Sequence, residues 1–178
     1  MKKILTLAPI MLLATSMAYA QLGTTSPTNI LSVAVAAEGA LTIGGTGTTN
    51  LTEAGNFANY TGTTSMTYFI RTTETGGSGS ITAKITTDFS PTGGPSVASP
   101  PVGSDALTYG CTVAAPGTAC TGPVTALTTG TTSVATFAAA AHSAKAGNSA
   151  SVAWTLPNDP VYKVNTYTAT VTFTISAA

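Results

Sequence analysis

Residues 167–175 read Tyr-Thr-Ala-Thr-Val-Thr-Phe-Thr-Ile, with threonine at every second position. Because successive side chains of a β-strand point to opposite faces, this run predicts a strand with a hydroxyl face and an apolar face that contains Tyr167, Val171, Phe173 and Ile175. Burying the last three contributes about 5–9 kcal/mol, which is comparable with the whole stability of a domain. The rest of the chain must therefore supply a second sheet to cover this face.

The same alternation recurs upstream. Odd positions are apolar from Leu31 to Ile43, including Val33 and Val35, and Glu38-Gly39 indicates a kink or bulge within that long run. Further alternating runs cover residues 65–73, 80–88, 107–113 and 152–156, and weaker runs cover residues 124–128 and 133–137. Residues 65–73 and 80–88 flank a glycine-rich segment, so we expect them to pair as a hairpin.

These runs predict an all-β, antiparallel sandwich of about eight to ten strands. After the first twenty residues the chain has no sustained helical period, and residues 137–146 are compatible with either a helical turn or an extended crossover. Trp154, in the alternating run Val152 to Leu156, is the expected core anchor between the two sheets.

The N-terminus has the pattern of a cleaved export signal. Lys2 and Lys3 precede a mostly apolar run that ends in Ala18-Tyr19-Ala20. We therefore expect a signal peptide at 1–20, a polar flexible segment at 21–29 and a single sandwich domain at 30–178. No run in the expected mature chain is long enough to span a bilayer. Its six carboxylates and four basic residues give a net charge of about −2, which argues against nucleic acid as a partner.

Cys111 and Cys120 are the two cysteines of the chain, and we expect them to form a disulfide in an oxidising compartment. The sequence offers no third cysteine and no histidine near them, as a structural metal site would need. We therefore expect no metal at these cysteines.

The residue types that carry catalysis are scattered. His142 is the single histidine and lies in an alanine-rich stretch, and Ser78 lies in a glycine-rich turn without the pattern of a nucleophile elbow. The six carboxylates show no pairing typical of a glycosidase, and Asn158-Asp159 is a weak calcium-binding fragment. These observations predict a protein that is not an enzyme and has no cofactor.

The export signal, the early alternating strand and the final Tyr-x-Ala-x-Val-x-Phe-x-Ile strand resemble the secreted immunoglobulin-like subunits of chaperone–usher pili. The ending from Asn165 to Ala177 is also similar to that of spore-coat-U-like domains. The resemblance implies an immunoglobulin-like sandwich, self-assembly by strand addition at an open sheet edge, and a periplasmic chaperone as a partner. Leu31–Ile43 is then either the strand donated to a neighbour or the first strand of its own domain.

The leading hypothesis is a non-catalytic structural subunit, pilus-like or coat-like, which crosses the periplasm of a bacterium and is then secreted or held at the cell surface. The second hypothesis is a stand-alone secreted sandwich that binds glycan or another surface ligand, with the Ser90–Gly103 and Cys111–Cys120 loops as its contact rim. A secreted hydrolase is a third reading, for which the sequence supplies no identifiable nucleophile or acid pair.

Overall fold

The structure is a computed structural model, and it describes residues 28–178. The predicted signal peptide, and all of the predicted flexible segment except its last two residues, lie outside the described residues. The chain divides between Ala34 and Val35 into two units. The described part of the first unit, residues 28–34, belongs to no helix or strand, and the second unit contains every strand of the described chain.

Residues 28–178 form nine strands and one short 3₁₀ turn at Gly103–Asp105. The strands are β1 (Glu38–Ile43), β2 (Tyr60–Arg71), β3 (Gly79–Ser90), β4 (Thr108–Val113), β5 (Thr118–Ala119), β6 (Val124–Thr125), β7 (Thr132–Phe137), β8 (Asn148–Leu156) and β9 (Thr168–Ala177). One sheet has the order β1-β2-β8-β4-β6 and the other has the order β5-β7-β3-β9, and all pairs are antiparallel. The predicted all-β, immunoglobulin-like antiparallel sandwich is confirmed.

The core lies between the two sheets, where the inward side chains of one sheet meet those of the other. Strand β2 contributes Met66, Tyr68 and Ile70, and strand β3 contributes residues 81, 83 and 85 from the opposite sheet. Trp154 of β8 is 5% exposed, and its ring centroid lies 5.1 Å from that of Tyr109 and 6.4 Å from that of Phe173. The indole therefore contacts side chains of both sheets, as an anchor between sheets does.

The predicted hairpin of residues 65–73 with 80–88 is wrong. Both segments are strands, but β2 belongs to the first sheet and β3 to the second, so the connection between them crosses from one sheet to the other. The alternation identifies which side chains face inward, and the two apolar faces do meet. They meet across the core, however, and not along a shared ladder of hydrogen bonds.

The expected single strand from Leu31 to Ile43 is also wrong over its first half. Strand β1 begins at Glu38, and Leu31, Val33 and Val35 lie in no strand. The reason is that Glu38 pairs with Arg71, the last residue of β2, so the ladder that could extend β1 ends there. The Glu38-Gly39 pair marks the start of the strand and not a kink inside it.

The predicted disulfide is confirmed, and it closes one side of the sandwich. Cys111 of β4 bonds to the residue that follows β5, Cys120, with a Cα–Cα distance of 5.5 Å. Since β4 and β5 belong to different sheets, the bond holds the sheets together on the side of the short strands β5 and β6. Strands β1 and β9 are the edges on the opposite side.

Thr64→Val tests the buried polar contact beneath Trp154. The Trp154 Nε1–H donates to Thr64 Oγ1 at 2.9 Å, and both residues are buried. Valine would leave that N–H without an acceptor, so we expect the free energy of unfolding to fall by about 1–3 kcal/mol. Thr64→Ser keeps the acceptor and is the control, with an expected loss of less than about 1 kcal/mol. Equal free energies of unfolding for the two variants, measured by urea denaturation, would show that this hydrogen bond does not stabilise the fold.

Candidate functional site

Strand β9 is the longest of the four edge strands in the described sandwich. Strand β9 pairs with β3 along its whole length, from Ser90↔Thr168 to Gly79↔Ala177. On its other side, no strand of residues 28–178 pairs with it. An edge of this kind presents a row of unpaired backbone N–H and C=O groups, which is a template for pairing with another chain.

The apolar side chains of β9 are incompletely covered. Val171, Phe173 and Ile175 point inward and pack on the core, but each is only half-buried, as is Tyr167 just before the strand. Three inward residues of the neighbouring strand, Ile81, Ala83 and Ile85, are at most 2% exposed. Within the described chain the inward side chains of β9 are thus covered less completely than those of β3.

Strand β1 forms the facing edge of the first sheet. A Cβ atom at Gly39 would lie 3.2 Å from Ile175 Cγ1, so the two sheets approach closely where β1 begins. Further along β1, Leu41 and Ile43 pack against the core and are half-buried. We call the side of the sandwich bounded by β1 and β9 the open side, because its apolar side chains from both sheets remain partly exposed.

The segment before β1 carries four exposed apolar side chains. Leu31 is 90% exposed, Val33 83% and Val35 64%, and Ile30 is exposed as well. Large apolar residues clustered on a polar or irregular segment indicate a contact surface. The assembly residues predicted from the sequence therefore fall into two groups, one on this segment and one on β9.

The two loops expected to form one ligand rim lie at opposite ends of the sandwich. The Ser90–Gly103 loop begins at the end of β3 that pairs with Thr168. The loop closed by the disulfide contains Gly117, where a Cβ atom would lie 2.9 Å from Phe137, and Phe137 pairs with Gly79 at the other end of β3. The twelve residues of β3 span roughly 35 Å, so the two loops are too far apart to form one contact rim around a ligand.

The Asp88 carboxylate organises the Ser90–Gly103 loop. Its oxygens accept hydrogen bonds from the backbone N–H groups of Phe89, Val97 and Ala98 and from the Ser96 hydroxyl, at 2.7–3.1 Å. Burial raises the pKa of this carboxyl, but the four donors together outweigh burial, so the pKa lies below its ordinary value. No spacing in the sequence indicates these four hydrogen bonds, because the donors surround the Asp88 carboxylate only after the loop has folded.

Residues that could carry catalysis do not converge. His142 is exposed on the loop before β8, and Ser78 exchanges backbone hydrogen bonds with Ala178. Glu38 pairs with Arg71 at 3.1 Å, and Glu53 accepts from Asn158 Nδ2 at 2.5 Å. Within residues 28–178 no three His, Cys, Asp or Glu side chains lie close enough together to hold a metal ion.

One of the six scattered carboxylates is buried, which its position in the sequence does not indicate. Asp105 is 4% exposed, and its Oδ2 has no hydrogen-bond partner among the described residues. Burial, together with the negative charges of Asp105 and Asp159, raises the pKa of the nearby Tyr162 hydroxyl to about 12. The Tyr162 hydroxyl is likewise buried without a hydrogen-bond partner among the described residues.

A shallow depression of about 370 Å³ lies on the outer face of the first sheet. Its lining includes five hydroxyl side chains: Ser65, Thr67, Thr112, Ser149 and Ser151. Within the described residues none of these hydroxyls makes a hydrogen bond, whereas on the second sheet Ser80 bonds to Ser176 and Thr86 to Thr172. The first sheet therefore leaves a polar patch without internal partners.

Comparisons of the chain with protein-family models, with curated proteins and with solved structures returned no match. Among the described residues no helix is long and apolar enough to cross a membrane.

Asp88→Asn tests the carboxylate that holds the loop. Since the folded-state pKa is lowered, the stabilisation is fully present above the unfolded-state value of about 4 and is lost as pH falls through the folded-state value. We expect wild type to be more stable than Asp88→Asn at pH 7, and the difference to narrow below about pH 4. The measurement is the free energy of unfolding as a function of pH.

Glu74→Gln, at an exposed carboxylate in the β2–β3 loop, is the matched control and should change the stability little. A difference between wild type and Asp88→Asn that stays constant from about pH 2 to pH 7 would show that the carboxylate charge does not hold the loop.

Proposed function

We propose that this chain is a non-catalytic structural subunit, pilus-like or coat-like, that assembles by strand addition. The segment before β1 of one copy pairs with the free edge of β9 in the next copy. The observation that carries the proposal is the absence, within residues 28–178, of any strand on the outer side of β9, whose apolar residues are only half-buried.

The segment has the pattern that this edge requires. Leu31, Val33 and Val35 fall on one parity, so an extended conformation places all three on the same face. That face can cover the half-buried Val171, Phe173 and Ile175 of an acceptor, while the backbone supplies the missing hydrogen bonds. The gain on pairing is the burial of apolar surface on both partners, at about 25 cal/mol per Å².

A second copy is a better partner for the segment than its own β9. Arg71 Nε donates to the Ala36 carbonyl at 2.7 Å, and Arg71 Nη2 bonds to the Glu38 carboxylate at 3.1 Å. These bonds fix the backbone just where it enters β1. Return of the segment along its own β9 would need a sharp reversal at this point, whereas pairing with another copy needs none.

The setting of this function is outside the cytoplasm. The disulfide supports an oxidising compartment, and the N-terminal pattern supports secretion or display at a bacterial cell surface after passage through the periplasm. A free apolar edge is an aggregation hazard before assembly. A periplasmic chaperone that covers β9 in transit is therefore the expected partner.

A peptide with the sequence of residues 28–37 tests the pairing. We expect it to bind the chain that lacks residues 1–34, and to protect alternate amides of β9 from hydrogen exchange, because it completes the ladder at that edge. Calorimetry measures the affinity, and hydrogen exchange locates the contact.

A Val33→Asp peptide is the matched control, since the carboxylate would enter an apolar face, and its affinity should fall at least about tenfold. Binding that is equally tight for both peptides, or protection outside β9, would contradict the proposal.

Binding of a glycan or another surface ligand is the second candidate. The hydroxyl-lined depression on the first sheet supports it, because Ser65, Ser151 and Thr112 lie in one row across three strands and have no partners within the described chain. A glycan array tests this function, and loss of a signal in Ser151→Val would locate it at the depression.

A further inference from the structure

The two ends of the sandwich differ in character. The base contains residues 36–38, 71–79, 137–147 and 177–178, and the tip contains residues 53–59, 91–107 and 157–167. Strand pairing defines the ends, since Glu38↔Arg71 and Gly79↔Ala177 lie at the base, and Tyr60↔Leu156 and Ser90↔Thr168 lie at the tip.

The tip carries exposed apolar side chains on three separate loops. Phe57 is 65% exposed, Val102 51%, Val161 60%, and Val164 is fully exposed. A hydrogen bond from Asn158 to Glu53 holds two of these loops together. Phe57 also has a φ of 52°, a left-handed conformation that bulky residues rarely adopt. Such residues cluster at contact sites, where the surrounding structure maintains the strain.

The base has a different surface. Its loop after β7 contains the alanine run 138–141, in which Ala138 and Ala139 are exposed, and Ala144 and Ala146 follow. The charges described there balance, with Glu38 and Glu74 against Arg71 and Lys145. The exposed alanines offer small apolar side chains on which projecting valine and phenylalanine side chains can pack, beside these charged groups.

The direction of strand addition determines which ends meet. Every strand pair of the described sandwich is antiparallel, and antiparallel pairing is the more stable arrangement. A donated segment that runs antiparallel to β9 and has Leu31 opposite the acceptor's Ile175 places Val33 opposite Phe173 and residue 37 opposite residue 169. Strand β1 of the donor begins at residue 38, so the base of the donor copy lies directly against the tip of the acceptor.

We propose that the apolar tip of this chain docks on the alanine-rich base of the neighbouring copy, as the second part of the contact made by strand addition. The inference rests on the proposed function, because a second copy is its occupant. It adds a body-to-body contact that a donated segment alone does not make, and it assigns a role to Phe57, Val161 and Val164.

Photocrosslinking of the full chain tests this contact directly. Phe57→p-benzoylphenylalanine is introduced, the protein is assembled after refolding, and crosslinked peptides are mapped by mass spectrometry. We expect crosslinks between position 57 of one copy and residues 71–79 or 137–147 of another. Crosslinks from tip to tip, or from tip to a sheet face, would overturn the inference.

A pair of matched variants separates this contact from strand addition. Val161→Ser with Val164→Ser should raise the concentration needed for assembly at least about tenfold, and Val161→Ile with Val164→Ile should leave it unchanged. Both variants should bind the 28–37 peptide as tightly as wild type, because the peptide has no base to dock.

Normal assembly of the serine variant, with peptide binding intact, would overturn the tip contact alone. Failure of the peptide to bind the unaltered chain would instead overturn the proposed function, and the tip contact with it.

Discussion

Within residues 28–178 the outer edge of β9 has no partner strand, and the arrangement of the open side follows from this. The backbone polar groups of a β-strand find hydrogen-bond partners either in a neighbouring strand at each edge or, at an open edge, in water. Strand β9 is ten residues long and has an apolar inner face, so it cannot be both an exposed edge and a fully buried element. Its inner residues are accordingly half-buried, and the chain carries a separate apolar segment with the alternation needed to cover them.

The two sides of the sandwich are closed by different means. On one side the disulfide from Cys111 to Cys120 joins the sheets covalently, and the strands there are short. On the open side the sheets approach where Gly39 meets Ile175, while both edge strands keep partly exposed apolar residues. This asymmetry stabilises the isolated fold from one side and leaves the other side available for a partner strand.

The sequence predicted the elements better than their arrangement. Alternation of period two located β2, β3, β4, β8 and β9, because it reports which side chains point to one face. It contains no information on which strand is the neighbour, so residues 65–73 and 80–88 were assigned to one hairpin although they face each other across the core. The start of β1 at Glu38 was missed for a related reason, since it depends on where β2 ends.

The sequence also does not predict the features that depend on how the loops fold. The four donors around Asp88 and the buried Asp105 meet their surroundings only after the loops have folded. The exposed tip residues look like ordinary core candidates in the sequence, because valine and phenylalanine are usually buried. The disulfide, in contrast, followed from there being two cysteines in a chain with an export pattern.

In the proposed assembly the segment that contains Leu31, Val33 and Val35 completes the β9 edge of another copy, and a chain that begins at Val35 lacks most of it. The most direct measurement is the mass distribution, by light scattering after refolding at high concentration, of residues 21–178 compared with residues 35–178. Both chains contain every described strand. We expect multimers of the longer chain and a folded monomer of the shorter one. Equal assembly by the two chains, or a strictly monomeric longer chain, would contradict it.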